Sequence, residues 1–134
     1  MSSLFINIIL SIVTGVIAGI FSGLYTGIVS ARYSAIEEIK KECLRVIRDI
    51  DYADGNYLRG YDIEKINRIL LASSELLGMK QKNAGEVLMY IYHVLSNNIY
   101  NNQRGIKMDS KILIEFQEKI RTLPIKKIAL LKVW

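Results

Sequence analysis

Apolar residues follow one another almost without interruption from Leu4 to Val29. A run longer than about 18 residues is typical of a helix that crosses a membrane. As a helix, residues 3–31 would extend roughly 40 Å, against about 30 Å for the hydrocarbon core of a bilayer. The pattern therefore predicts a transmembrane helix, assigned to residues 1–31, that tilts or reaches into the headgroups.

From Arg32 onwards, apolar residues recur at the helical period instead, and charged residues fill the intervening positions. No Gly or Pro separates residues 32–50 from the apolar run. We therefore expect one long helix that leaves the membrane and continues into a soluble domain. Its buried stripe is expected to comprise Ile36, Ile39, Cys43, Val46 or Ile47, and Ile50.

The same period predicts three further helices, over residues 63–77, 84–101 and 110–122. Helix boundaries are expected at the capping or breaking residues Asp62, Gly78, Asn83 with Glu86, Gln103 to Gly105, Asp109 or Ser110, and Pro124. The Asp, Asn and Gly residues of the segment 51–61 predict a loop, either packed by its own tyrosines or forming a contact surface. Its Asp spacing does not match a calcium-binding loop.

These elements together predict an all-α protein. One N-terminal transmembrane helix continues into a small antiparallel helical bundle over residues 32–124. A basic amphipathic tail follows, over residues 125–134.

Small residues recur every four positions within the apolar run. Lipid offers no hydrophobic gain for helix association, so close backbone packing at small residues must drive it. The small residues form two neighbouring rows along the helix. These rows therefore predict self-association, in a homo-oligomer larger than a dimer. A partner's span, or the general abundance of glycine in membrane helices, is the other explanation. The proposed contact residues are Gly15, Gly19, Gly23, Gly27, Ala18 and Ser22.

Polar atoms in the same run suit a narrow water path through such an oligomer. The alternative is that each hydroxyl bonds to a carbonyl of its own helix. The candidate pore-lining residues are Asn7, Ser11, Thr14, Thr26 and Ser30.

All charged side chains lie at or after Arg32, and the chain has a net charge of +5. A cleaved signal peptide is the rival explanation for the apolar run, but the first residues lack Lys and Arg, and the run is about twice a normal signal core. The basic residues after the run place the following domain in the cytoplasm and the N-terminus outside. The Ile-, Asn- and Lys-rich composition suggests a bacterial source, and hence the inner membrane.

The last residues are apolar and basic, with Lys126, Lys127, Lys132 and Trp134 as candidate contact residues. Three interpretations are open. The tail can pack on the bundle or a neighbouring subunit, lie on anionic lipid, or contact nucleic acid. Packing is the favoured interpretation, and nucleic acid is the least favoured.

Candidate chemistry is scarce. Cys43 lies in the apolar stripe and His93 lacks an acidic neighbour at helical spacing, so both are expected to be structural. Residues 86–89 lack the arginine of a helical-nuclease Arg–His pattern. We therefore expect no catalytic residues, no metal and no cofactor.

In broad plan the chain resembles small single-pass membrane effectors of bacterial antiphage defence, such as the membrane accessory protein of type VI-B CRISPR systems. The resemblance is one of architecture, a single span followed by a helical domain that assembles into a ring, and no residue is carried over from it. It implies a pore-forming or membrane-perturbing effector gated by its cytoplasmic domain. The alternative is a non-conducting anchor or scaffold that recruits a cytosolic partner.

Overall fold

A computed structural model of the chain describes residues 2–53, 56–59, 62–109 and 111–132. Within these ranges the fold is all-α apart from one short hairpin, as the periodicity predicts. The elements in chain order are α1 (Ser2–Arg48), β1 (Asp51–Ala53), β2 (Asn56–Arg59), α2 (Ile63–Gly78), α3 (Lys82–Gln103), α4 (Lys111–Arg121) and α5 (Lys127–Leu131).

The long helix α1 continues without a break from the apolar run into the domain, as expected. Its apolar part is exposed except for half-buried Val29, and full burial begins at Ile36. The predicted stripe is confirmed, since Ile36, Ile39, Cys43, Val46 and Ile47 all lie in the core. The two halves of α1 therefore have different surroundings although they share one backbone.

An up-and-down arrangement follows from side chains that meet between helices. Arg68 of α2 donates to Glu42 of α1 at 3.3 Å, and Tyr92 of α3 donates to Asn67 of α2 at 3.3 Å. The Lys119 ammonium of α4 lies 4.6 Å from the centre of the Tyr90 ring of α3. Contacts at a second level fix the directions: Ser73 of α2 donates to the Gly85 carbonyl of α3 at 2.7 Å, and Arg32 of α1 and Gln81 after α2 both bond to the segment 126–132. Therefore α2 runs antiparallel to both α1 and α3, as the short connections predict.

The predicted loop at 51–61 is wrong, because its described part forms an antiparallel hairpin. Tyr52 pairs with Tyr57 and Ala53 with Asn56. The hairpin packs on the end of α3, where Asn102 accepts from the Tyr57 N–H at 3.1 Å and donates to Asn56 at 3.2 Å. The side chain of Tyr57 is buried in the core, whereas the side chains of Tyr52 and Tyr61 lie outside what the structure describes.

The end of α2 differs from the prediction at Gly78. The helix includes Gly78, and the left-handed residue that ends it is Lys80, with φ 62°. Gln81 N–H bonds to Leu76 O at 2.9 Å and Lys80 N–H to Leu77 O at 3.1 Å, which is a Schellman motif. A lysine therefore occupies the position where glycine is usual.

The helix starts also differ in part. Asp62 stands at the N-cap of α2 but its side chain makes no capping bond, and α3 begins at Lys82, so that Asn83 lies inside the helix and caps nothing. Asp109 does accept from the Lys111 N–H at 3.0 Å and starts α4. The predicted break after α3 is confirmed by Gly105, whose φ is +88°.

Gly85 of α3 lies close against α2. A Cβ there would lie 2.8 Å from Leu77 Cγ and 3.2 Å from the Ser73 carbonyl oxygen. Gly78, also helical, has no atom within 4 Å of such a Cβ.

We expect Gly85→Ala to lower the free energy of unfolding by about 1–2 kcal/mol, because the added methyl separates two packed helices. Gly78→Ala is the matched control and should leave stability unchanged or raise it by up to about 1 kcal/mol. Denaturant unfolding of the full chain in mild detergent, followed by circular dichroism, measures both. Equal effects of the two substitutions would contradict the packing described here.

Candidate functional site

The apolar part of α1 is the first candidate functional surface. Within the described residues it is the one helix long and apolar enough to cross a membrane, by length and composition, with a mean hydropathy of 2.5. None of that window is buried against the rest of the chain. Among the described residues, the segment therefore contacts the rest of the chain only near its end, where Tyr25 meets α5.

The predicted association residues share one strip along α1. At about 100° per residue, positions four apart fall close together, so Gly15, Gly19, Gly23 and Gly27 form a slowly winding row. A Cβ built at any of them meets no atom within 4 Å. Ala18 and Ser22 form a second row beside it and are also exposed. The strip is open to a partner along its whole length.

The predicted pore residues lie on the same strip. Thr14, Thr26 and Ser30 continue the second row, and Asn7 and Ser11 continue the glycine row towards the N-terminus. All five side chains are exposed. The Thr14 hydroxyl donates to Leu10 O at 2.7 Å, so its proton is satisfied within the helix. Its oxygen can still accept a bond from water or a neighbouring helix.

The second candidate surface is formed where α5 contacts α1. Tyr25 Oη donates to the Leu131 carbonyl at 2.7 Å. The Arg32 guanidinium donates to the Leu130 carbonyl at 3.2 Å and also to the Lys132 carbonyl. The last carbonyls of a helix have no N–H donor within that helix. At the end of α5, three consecutive carbonyls instead accept hydrogen bonds from side chains of α1.

The start of α5 is held equally well, by Gln81 in the turn between α2 and α3. Gln81 is 1% exposed. Its Nε2 donates to the Lys126 carbonyl at 3.0 Å, and its Oε1 accepts from the Lys126 N–H at 2.7 Å. With Leu130 buried in the core, α5 is fastened at both ends. We name this arrangement of Tyr25, Arg32 and Gln81 around α5 the tail latch.

The described part of the tail therefore packs on its own chain, and this favoured interpretation is confirmed. The side chains of Lys126, Lys127 and Lys132 remain exposed. Trp134 lies outside the described residues. Sequence reasoning missed Gln81, because a lone glutamine between two lysines gives no signal of a backbone clamp 45 residues away.

The tail latch lies at the end of the bundle from which the apolar part of α1 emerges. Since Arg68 meets Glu42 on antiparallel helices, the turn after α2 returns to the level of about residue 31 of α1. We call residues 24–36, 78–83 and 122–132 the proximal end. Six basic residues lie in it and no acidic ones; they are Arg32, Lys80, Lys82, Lys126, Lys127 and Lys132.

Reactive chemistry is not evident in the described residues. Within them, no group of three or more His, Cys, Asp or Glu residues has the arrangement of a metal site. Burial, followed by the negative charges of Glu42 and Glu75, raises the pKa of the Cys43 thiol to about 12. A thiol with so high a pKa is a poor nucleophile.

Comparison of the chain with protein-family models, with curated proteins and with solved structures gives no match. We therefore infer a function from the geometry of these two surfaces.

Cys43 should react with a thiol reagent at neutral pH at least about a hundredfold more slowly in the folded protein than in denaturant, because it is buried and protonated. Over the pH range in which the domain stays folded, the labelling rate should rise without reaching a plateau, since the pKa is raised. Mass spectrometry of the labelled protein measures both. Equal rates in the two states would contradict the burial of Cys43.

Gln81→Leu should release the start of α5, because the two bonds to Lys126 are lost while a buried apolar side chain remains. Two hydrogen bonds of about 1 kcal/mol each predict roughly thirtyfold faster cleavage by trypsin after Lys126 and Lys127. Gln103→Leu, at an exposed glutamine of α3, is the control. Unchanged cleavage in Gln81→Leu would show that the latch does not hold the tail.

Proposed function

We propose that this protein is an oligomeric single-pass membrane protein whose packed spans form a pore or perturb the membrane, with the helical domain acting as the gate. The open small-residue strip of α1 carries this proposal. Along the strip, small residues that permit close helix packing lie directly beside polar atoms. A single strip thus offers both the contact and the polar lining that a pore requires.

In a ring of such helices, each glycine row can pack against the neighbouring helix while the adjacent hydroxyl row turns towards the centre. Ser22, Thr26 and Ser30 would then offer hydrogen-bonding oxygens to water at successive levels. The first two lie within the apolar run, where no charged group is present. Such a path would favour water and small solutes over a specific ion.

The proposed orientation puts the helical domain in the cytoplasm. Basic residues within about 15–20 residues of a span determine its orientation. Arg32, Lys40, Lys41, Arg45 and Arg48 follow the apolar run within this distance. An inner-membrane effector of antiphage defence, as the resemblance in architecture implies, has this topology.

A non-conducting anchor that recruits a cytosolic protein is the second candidate function. A groove of about 220 Å³ between α2 and α3 supports it. The groove lies at the end of the bundle away from the tail latch, and Ile63 at its rim is 76% exposed. An apolar partner segment would have access to it without contacting the membrane.

Gly19→Leu and Gly23→Leu should each convert the oligomer to monomer on native gels in mild detergent. Since a side chain at either position meets nothing within the chain, the substitution leaves the fold intact and acts only between chains. Ile17→Leu, on the opposite side of α1, is the control and should assemble normally. A wild-type protein that is monomeric at all concentrations would contradict the proposed association.

Conductance separates the two candidate functions. Proteoliposomes that contain the wild-type oligomer should leak a small entrapped dye, and those with Gly19→Leu should not. Membrane depolarisation on expression in bacteria should follow the same order. An oligomer that assembles but neither leaks nor depolarises cells would support the anchor and exclude the pore.

A further inference from the structure

The net charge of the protein resides at the proximal end. Apart from the six basic residues there, the chain has 12 basic and 13 acidic residues and is nearly neutral. Five of the six basic side chains are exposed, and Arg32 is half-buried. The surface beside the emerging apolar helix is therefore cationic, whereas the rest of the domain is not.

Apolar side chains accompany this charge on α5. Ile128 is 70% exposed and Leu131 is 48% exposed, whereas Leu130 between them is buried. Positions 128 and 131 are three residues apart and lie on one face of the short helix. The face opposite the bundle is thus apolar and is flanked by Lys127 and Lys132.

The height of this face follows from the tail latch. About 20 residues cross the hydrocarbon core, so a span that begins at Leu4 reaches the inner boundary near Leu24. Tyr25 then lies where the headgroup layer begins, and Arg32 lies about 10 Å further along α1, at its outer edge. Their bonds to the carbonyls of residues 130–132 hold the end of α5 between these two levels.

We propose that the proximal end is a binding surface for anionic phospholipid headgroups, with Ile128 and Leu131 inserted at the headgroup–acyl boundary. Lys126, Lys127 and Lys132 on the tail, with Lys80 and Lys82 on the α2–α3 turn, bind the phosphates. This inference depends on the proposed membrane crossing of α1. It extends that proposal, since a plain span needs no second lipid contact.

Exposed apolar side chains favour lipid over nucleic acid as the partner of this surface. Insertion of apolar residues with lysines at their flanks is the usual mode of binding to an anionic membrane surface. A phosphate backbone in water would use the lysines and leave Ile128 and Leu131 exposed. The lipid hypothesis therefore accounts for both kinds of side chain.

Spin labels on the full chain measure the depth of α5. Ile128→Cys carries one label, and Ile114→Cys on α4, an exposed isoleucine of similar accessibility (66%), carries the control label. The buried Cys43 is not replaced. The wild-type chain, treated with the same spin label, serves as the control for any labelling of Cys43. In vesicles that contain phosphatidylglycerol, oxygen should relax the label at 128 more than a water-soluble nickel reagent does, and the reverse should hold at 114.

Charge is tested by pairs of substitutions. The double substitution Lys126→Gln and Lys127→Gln should shift the label at 128 towards water. Each lysine is expected to change the ratio of inserted to exposed populations about fivefold, so the pair should lower that ratio more than tenfold. Lys107→Gln with Lys111→Gln, at the other end of the bundle, changes the net charge equally and should have no effect. Vesicles of phosphatidylcholine alone should reproduce the effect of the first pair.

Three results would overturn the inference. These are water exposure at 128 equal to that at 114 in anionic vesicles, equal effects of the two lysine pairs, and protection of position 128 by an oligonucleotide rather than by lipid. A third label, at Val13→Cys, separates this failure from that of the proposed function. A lipid-exposed label at 13 with a water-exposed label at 128 contradicts only the headgroup surface, whereas water exposure at 13 contradicts the membrane crossing itself.

Discussion

The unbroken backbone hydrogen bonding of α1 is the constraint on which the rest of the structure depends. In lipid, every backbone N–H and C=O must be paired within the segment, so a spanning helix cannot end inside the bilayer. In this protein α1 runs from Ser2 to Arg48 and does not end where its apolar part ends. The open strip of the apolar part and the buried stripe of the domain therefore have a fixed angular relation, and a rotation of one half about the helix axis is transmitted to the other.

The tail latch extends this relation to the far end of the chain. Gln81 ties Lys126 to the α2–α3 turn, while Tyr25 and Arg32 tie the end of α5 to α1. A change in the packing of α2 against α3 therefore reaches the base of the apolar segment by a second route, through α5. For a domain that gates its spans, two rigid connections constrain the motion more than one would.

Periodicity predicted much of this fold, because the spacing of apolar residues in an amphipathic helix identifies its buried face. The stripe from Ile36 to Ile47 and the break at Gly105 were predictable on that basis. The hairpin was not, since its strands are short and its stability comes from Asn102, which is distant in the sequence. The prediction that α2 ends before Gly78 was wrong for a related reason. The site where α2 ends is decided by the bonds of Leu76 and Leu77 to the turn, which place a lysine in the left-handed conformation.

Of the two candidate surfaces, likewise, one could be predicted from the sequence and the other could not. The small-residue strip is a local pattern and was visible in the sequence, whereas its oligomeric use stays a prediction. The concentration of charge at the proximal end could not be seen, because its basic residues come from three separate segments. The sequence shows only that the last residues are basic. The bonds between Gln81 and Lys126 show that Lys80 and Lys82 lie with the lysines of the tail.

The tail latch also imposes an order on biosynthesis. The Tyr25–Leu131 bond joins residues 106 apart, so Tyr25 has left the ribosome long before its partner is made. An apolar segment that inserts during synthesis would already be in the bilayer when α5 emerges, and α5 would have to find its place at the membrane surface. Until then, the core lacks Leu130 and the buried Gln81 lacks its partner. Completion of the soluble domain would thereby become an event that follows insertion, and newly made chains would pass through an interval in which the helix is anchored but the domain is still open.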